Sequence, residues 1–182
     1  MAITSYDIGL GKSCPSFFLA SVDGKNYDLD AFENATGLLI AFICNHCPYV
    51  QAIEDRLLSL AHAYAPKGIQ TVAICSNDWK SYPEDAPKEL LERWKKKSYG
   101  FPYLIDEVQT VAKAFDAACT PDLYLYDQSR KLFYHGRLDD NWKDAAKVKH
   151  QDLKASMDAL LAGKEPLKVQ HPTIGCSIKW KK

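Results

Sequence analysis

Two cysteines separated only by Asn45 and His46, in the stretch CNHCPYV from Cys44 to Val50, are the residues whose types and spacing could do chemistry. They stand where the apolar run Leu38–Ile43 stops and a helical pattern starts. A helix start holds unpaired N–H groups and positive partial charge, which favour a thiolate over a thiol. Thiol–disulfide exchange needs one thiolate to attack and a second thiol close enough to resolve the mixed disulfide. A CxxC at a helix start supplies both. An imidazolium at His46 would lower the pKa of a neighbouring thiol further; the plainer alternative is an exposed residue at the helix start with no role. Cys44, His46 and Cys47 are also metal-ligand types, although ligands this close lack the paired CxxC spacing of a structural zinc site.

The elements that must position this pair show in the periodicity. Leu38–Ile43 is a continuous apolar run, as expected of a central strand covered on both faces. After the CxxC, Val50, Ile53, Leu57, Leu60 and Tyr64 recur at helical spacing until Pro66-Lys67-Gly68. Upstream, Phe17–Leu19 and Tyr27–Leu29 flank Asp23-Gly24 and predict a short β-ribbon. Downstream, strands are expected at Ile69–Cys75, Tyr103–Ile105, Asp122–Tyr126 and Lys131–Tyr134, and helices at Lys88–Lys97, Val108–Ala117 and Leu153–Leu161. The stretch SNDWKSYPEDAP reads as a surface excursion. Strands interleaved with helices predict an α/β sandwich with a mixed sheet. The absence of a linker or internal repeat predicts a single domain over residues 1–182, its core at about 11–161 and a C-terminal extension at 162–182.

Composition narrows the function classes. Twenty-three basic residues balance twenty-three acidic ones, so bulk charge attracts neither nucleic acid nor an anionic membrane. The Lys95-Lys96-Lys97 run is expected to be a solvated helix end. No run approaches a membrane span, and the start MAITSYDIGLGKSCPSF has no secretory pattern, so the expected location is cytoplasmic. Thiols there stay mostly reduced, so the six cysteines are not expected to form a disulfide framework. Cys75 and Cys14 are expected to be small buried hydrophobes.

Taken in order, the β-ribbon, the apolar strand, the CxxC, the long helix, the next strand and Thr120-Pro121 leading into DLYLYD resemble the thioredoxin fold, especially its peroxiredoxin-like and thiol-reductase branches. The resemblance runs from about Gly11 to Leu161. More narrowly, CNHCPYV with the C-terminal GCSIKW is similar to peroxiredoxin-like proteins of the AhpC/TSA-type redoxin group that carry a CxxC. It implies a three-layer sandwich, a cis-proline at Pro121 facing the CxxC, and Cys44 as an exposed nucleophile with Cys47 as the more buried resolving thiol. Cys119 would then lie one residue from the facing loop, as a third redox thiol or a merely buried one.

The departures from these patterns matter as much. Ile43 and His46 stand where thioredoxin has tryptophan and proline, so substrate docking and redox poise are not inherited. Aligning the peroxiredoxin PxxxTxxC on Cys47 puts Cys44 at its threonine, and Arg137 is the only nearby candidate for the basic partner, against a surface arginine paired with Asp139 or Asp140. Pro48 could make Cys47 the helix cap, giving Cys47 rather than Cys44 the favourable field.

Three functions follow from these residues. The first is a thiol–disulfide oxidoreductase using Cys44 and Cys47, without a cofactor, acting on a protein or small-molecule thiol or disulfide and re-reduced by an external thiol. The others are a thiol peroxidase with Cys47 attacking and a non-catalytic metal-binding module. In the tail, Pro172 and Gly175 suit a mobile extension on which Cys176 could reach the CxxC as a resolving thiol. The alternation of Ile174, Ile178 and Trp180 suits an added strand that would hold Cys176 far from it. No residue pattern specifies an oligomeric state.

Overall fold

Every residue of Gly37–Phe42 is buried, as a strand covered on both faces requires. The computed structural model describes residues 1–182. Its elements are β1 (Ala2–Thr4), β2 (Phe18–Ala20), β3 (Asn26–Asp28), β4 (Gly37–Phe42), α1 (Pro48–Tyr64), β5 (Ile69–Cys75), α2 (Pro87–Lys96), β6 (Tyr103–Ile105), α3 (Thr110–Ala114), β7 (Cys119–Thr120), β8 (Asp122–Tyr126), β9 (Leu132–Gly136), α4 (Asp152–Leu161) and β10 (Ile174–Ser177). The central sheet has the order β6-β5-β4-β8-β9. β4 runs parallel to β5 and antiparallel to β8, so the sheet is mixed, as expected.

Alternation along β4 divides the core. Leu39, Ala41 and Ile43 face the side covered by α1 and α4, where Val50, Ile53, Leu57, Leu153 and Met157 pack. Leu38, Ile40 and Phe42 face the side covered by α3 and the β2–β3 ribbon, with Val111, Phe115, Phe17 and Leu19. Both faces of one strand therefore belong to two cores, and the three layers follow. Truncating a side chain such as Leu39 to alanine removes apolar contacts worth about 2–5 kcal/mol. The ribbon pairs Leu19 with Tyr27 around the expected turn. No helix is long and apolar enough to cross a membrane.

Three expectations change. The helix expected at Val108–Ala117 is only Thr110–Ala114, because Gln109 adopts a left-handed backbone at φ +62°. Its side-chain amide donates to the carbonyls of Ser76 (2.7 Å) and Lys179 (2.8 Å) and accepts from the Lys181 N–H (2.8 Å), so it ties the tail to the body of the fold. The stretch SNDWKSYPEDAP is not simply a surface excursion: Ser76, Asn77 and Asp85 within it are buried. Finally, the tail is an added strand, but in a second, three-stranded sheet of order β1-β10-β7. Residues 2–4, which the sequence left unassigned, complete that sheet.

Candidate redox site

Strand β4 delivers the chain to the site and α1 carries it away. The Ile43 N–H still pairs with the Ile74 carbonyl (3.0 Å), after which the chain leaves the sheet through Cys44, Asn45 and His46. Cys47 is the N-cap of α1, extended at φ −73°, ψ 120°, with Pro48 in the first turn. Proline causes this: it pushes its predecessor out of the helical region and, having no N–H, loses nothing at the first helical position. The field of the helix start thus falls on Cys47, the possibility that Pro48 raised.

The facing wall is the Thr120-Pro121 segment, whose peptide bond is cis as the resemblance implied. The Cys47 thiol donates to the Thr120 carbonyl (3.0 Å), and the Thr120 hydroxyl lies 3.3 Å from Cys44 Sγ. Behind this wall, Asp122 is held by His135 Nε2 (2.7 Å) and by the Tyr124 hydroxyl (2.9 Å), which fixes the start of β8.

A carboxylate that the sequence did not single out organises the loop between the cysteines. Asp85, 1% exposed, accepts from the Asn45 N–H (2.8 Å), the His46 N–H (3.3 Å) and the Asn77 amide (2.8 Å), and lies 2.6 Å from His46 Nδ1. His46 is stacked on Tyr82, with ring centroids 5.2 Å apart and planes 13° apart, so it is a clamped ring and not a free surface histidine. Two residues after Asp85 the chain enters α2, which is pinned to α1. There Arg93 grips the buried Glu54 of α1 through two hydrogen bonds of 2.7 and 2.8 Å, and the Tyr99 hydroxyl adds a third (2.7 Å). Planar two-point pairing of this kind fixes orientation as well as distance.

The electrostatics separate the two thiols. Cys47 is lowered to about 4, chiefly by its contact with Cys44 and against the effect of burial, with further help from the Cys176 thiol and from the N–H groups of Val50 and Cys176. Cys44 is pushed well up by the same contact and by burial, with the Asp85 charge adding to them. A protonated Cys47 gives its hydrogen to Thr120; the thiolate instead collects donors from Cys44, Cys176 and the helix start. The hydrogen bond to Asp85 raises the His46 pKa against burial. Burial pushes Asp85 up, but the His46 ring, the Asn77 amide and the Asn45 N–H outweigh it and hold the carboxyl below its ordinary value.

Several expected site residues need correction. Cys44 is not an exposed nucleophile: it is 2% exposed and Cys47 is 0% exposed, with the Thr120 segment against both and Cys176 of β10 beside Cys47. Arg137 is not a partner of the thiols, nor is it paired with Asp139 or Asp140. Its guanidinium binds Asp152 through Nε (3.0 Å), at the start of α4. Cys119 is fully buried with its thiol directed at the Pro121 carbonyl (3.6 Å), and burial pushes its pKa strongly up, which leaves it a protonated filler. Cys75 is buried as expected, whereas Cys14 is only half-buried. Cys176 is fixed by a strand, but beside the CxxC rather than far from it, directly opposite Thr120. For a metal, the ligand atoms of Cys44, His46 and Asp85 lie within 4.8 Å of one another. That is a sulfur, nitrogen and oxygen set suited to a borderline divalent cation, with Asp85 where the sequence suggested Cys47.

With this geometry, comparison with known proteins becomes informative. Residues 10–153 match the profile of the Redoxin family. The whole chain is similar to an uncharacterized conserved protein of Geobacillus kaustophilus of solved structure: 45% identical, covering 100% of this chain and 97% of that one, with a TM-score of 0.95. It is also similar, at 23% identity over 123 residues, to the thiol-disulfide oxidoreductase ResA of Bacillus thuringiensis subsp. konkukian (strain 97-27). That match covers 68% of this chain and 66% of the relative, just under two thirds of its length. The thioredoxin domain of a thiol-disulfide oxidoreductase from Bacteroides vulgatus, 15% identical, covers 71% of this chain and 89% of its own with a TM-score of 0.60, which speaks to the fold alone. A strand–CxxC–helix unit facing a cis-proline on a mixed sheet, together with a profile match over most of the length, places this chain in the Redoxin family, with a thioredoxin-like fold.

Proposed function

We propose that this protein is a thiol–disulfide oxidoreductase in which Cys44 and Cys47 cycle between dithiol and disulfide, with Cys47 as the attacking thiolate. The observation that carries the reading is Cys47 at the N-cap of α1, in contact with a second thiol and with the Thr120 segment. Attack by Cys47 on a substrate disulfide gives a mixed disulfide and releases one thiol. Cys44 then attacks Cys47, its proton passing to the departing sulfur. Thr120, through its hydroxyl 3.3 Å from Cys44 Sγ, is placed to relay that proton by donating its own as it receives it. His46 and Asp85 are positioning residues that hold the loop. The proposed setting is cytoplasmic, where an external thiol restores the pair.

The test is turnover of a small-molecule disulfide by the wild type, Cys44→Ser and Cys47→Ser, since residues 2% and 0% exposed admit only a small substrate. Cys47→Ser should be inactive, since a hydroxyl is a poor nucleophile at neutral pH. Retained activity in Cys47→Ser would overturn the assignment. The low pKa at Cys47 also favours a second reading, a thiol peroxidase, because sulfenic acid formation requires a thiolate. Rapid consumption of hydrogen peroxide, with no turnover of disulfides, would select it. The metal-binding alternative predicts that added zinc protects Cys44 from alkylation and that Asp85→Asn abolishes that protection.

A further inference from the structure

The oxidoreductase reading leaves a difficulty of access. A disulfide between two residues that are 2% and 0% exposed is out of reach of a bulky protein reductant. Cys176 is the half-buried member of the local thiols. Strand β10 seats it antiparallel to β7, directly opposite Thr120, whose carbonyl is the one 3.0 Å from Cys47 Sγ. Residues directly opposite in such a pair have Cα atoms about 4.5–5.5 Å apart, close enough for side chains to meet. The neighbouring residue shows that the seat is built for this approach. A Cβ at Gly175 would lie 2.1 Å from the Thr120 carbonyl oxygen and 3.1 Å from the Pro121 nitrogen, so only glycine lets β10 lie this close to the cis segment.

The tail is also locked in register on both sides of Cys176. Before it, Ser5 and Thr173 exchange hydrogen bonds: the Ser5 N–H to the Thr173 carbonyl (3.0 Å) and the Thr173 N–H to the Ser5 hydroxyl (3.1 Å). After it, the Ile178 N–H donates to the Ala118 carbonyl (3.0 Å) and the Lys179 N–H to the Asn77 side chain (2.8 Å). Cys176 is thus a fixed thiol at the mouth of the site and not the tip of a mobile arm.

We propose that Cys176 is a third redox thiol, which takes the disulfide from the buried Cys44–Cys47 pair and presents it at the surface as a Cys47–Cys176 disulfide. This rests on the oxidoreductase reading. The step balances within the chain. The Cys176 thiolate attacks Cys47 Sγ, the Cys47–Cys176 bond forms and the Cys44–Cys47 bond breaks. The electron pair leaves on Cys44, which takes up the proton that Cys176 gave. One disulfide replaces another, so no further oxidant enters; an external dithiol then reduces the new bond and is itself oxidised. In the reduced protein, burial and then the hydrogen bond to Cys47 keep the Cys176 thiol up at about 11, while Lys179 and the N-terminal ammonium pull the other way.

The experiment is disulfide mapping after stoichiometric treatment with diamide, alkylation of free thiols and non-reducing peptide mass spectrometry, on the wild type, Cys44→Ser and Cys44→Ala. The inference expects both Cys44–Cys47 and Cys47–Cys176 peptides from the wild type. From either Cys44 variant it expects Cys47–Cys176 in roughly tenfold excess over any other pair, because Cys176, opposite Thr120, is then the partly exposed thiol beside Cys47. A wild type that yields Cys44–Cys47, with variants that leave Cys176 fully alkylated, overturns the relay and leaves the oxidoreductase reading intact. A wild type that yields no disulfide at Cys47 overturns both. Mapping the wild type keeps the outcome decisive even if a variant folds poorly.

Discussion

Replacing Asp85 by alanine should damage this protein more than the loss of any surface acid. Its carboxylate takes three N–H hydrogen bonds, two from the backbone of Asn45 and His46 and one from Asn77, and pairs with the His46 ring, all while 1% exposed. Hydrogen bonds to charged groups contribute about 1.5–3 kcal/mol each, and buried donors left without an acceptor cost about 1–3 kcal/mol. These are not additive within one network, and removing one partner of a buried ion pair costs about 3–5 kcal/mol. That last range is the expectation for Asp85→Ala. For a chain of this length about 2–4 °C accompanies each kcal/mol, so the melting temperature should fall by about 6–20 °C. Asp85→Asn keeps the shape and one acceptor and should lose roughly half as much. Urea denaturation with matched m-values measures both variants. Because the Asp85 charge also raises Cys44, its removal should bring Cys44 alkylation to lower pH, which ultraviolet thiolate absorbance or pH-dependent alkylation detects. A loss under about 1 kcal/mol in Asp85→Ala, or an unshifted Cys44 profile, would refute the idea that this carboxylate anchors the loop.

Four further outcomes follow from the same structure. The His46 pKa is raised, so its contribution to stability is complete below about pH 6.5 and lost as pH rises through the folded value; that of Asp85 is lowered, so its contribution is present above about pH 3.9 and lost on acidification. Stability should therefore peak between those limits, and Asp85→Asn should flatten both flanks in a pH series of urea melts. Alkylation of Cys47 in the reduced protein should be pH-independent from about pH 6 upward, since its thiol is lowered to about 4; a rate still rising tenfold per pH unit at neutrality would contradict this. Arg137→Ala should leave disulfide turnover unchanged and cost stability only by loss of its partly exposed contact with Asp152, within about 1 kcal/mol. Gly175→Ala should displace β10 from Thr120 and destabilise by about 1–3 kcal/mol, the usual cost of forcing a methyl into a packed site.

The parts of this molecule that were legible in the sequence are those written by short-range rules. Six consecutive apolar residues gave β4, and Val50, Ile53, Leu57 and Tyr64 gave α1, because burial and helical period are properties of neighbours. Pro48 announced that Cys47 could be the cap, because its steric effect acts one residue back. Asp85 was not legible. Its partners are Asn45 and His46, about forty residues away, and nothing in the polar stretch SNDWKSYPEDAP marks one carboxylate as buried. The nearest signal in the sequence is the apolar Leu90 of α2 just after it, which is buried and so draws the preceding turn towards the body of the fold.

Cys176 shows the same limit from the other side. Alternation in the tail offered a strand as one of two readings, and the strand forms at Ile174–Ser177, but alternation is silent about which edge that strand joins. Its partners, Ala2–Thr4 and Cys119–Thr120, are short segments, and pairings of so few residues leave no periodic trace. What decides the pairing is a steric fact at one residue. Gly175 is the place where β10 meets the Thr120 carbonyl, and a side chain there would hold the two backbones apart. The same contact that closes the site over Cys44 and Cys47 thus brings Cys176 beside Cys47. Occlusion of the CxxC and the presence of a third thiol at its mouth are two consequences of one close backbone approach, and a chain that kept the tail but lost Gly175 should lose both together.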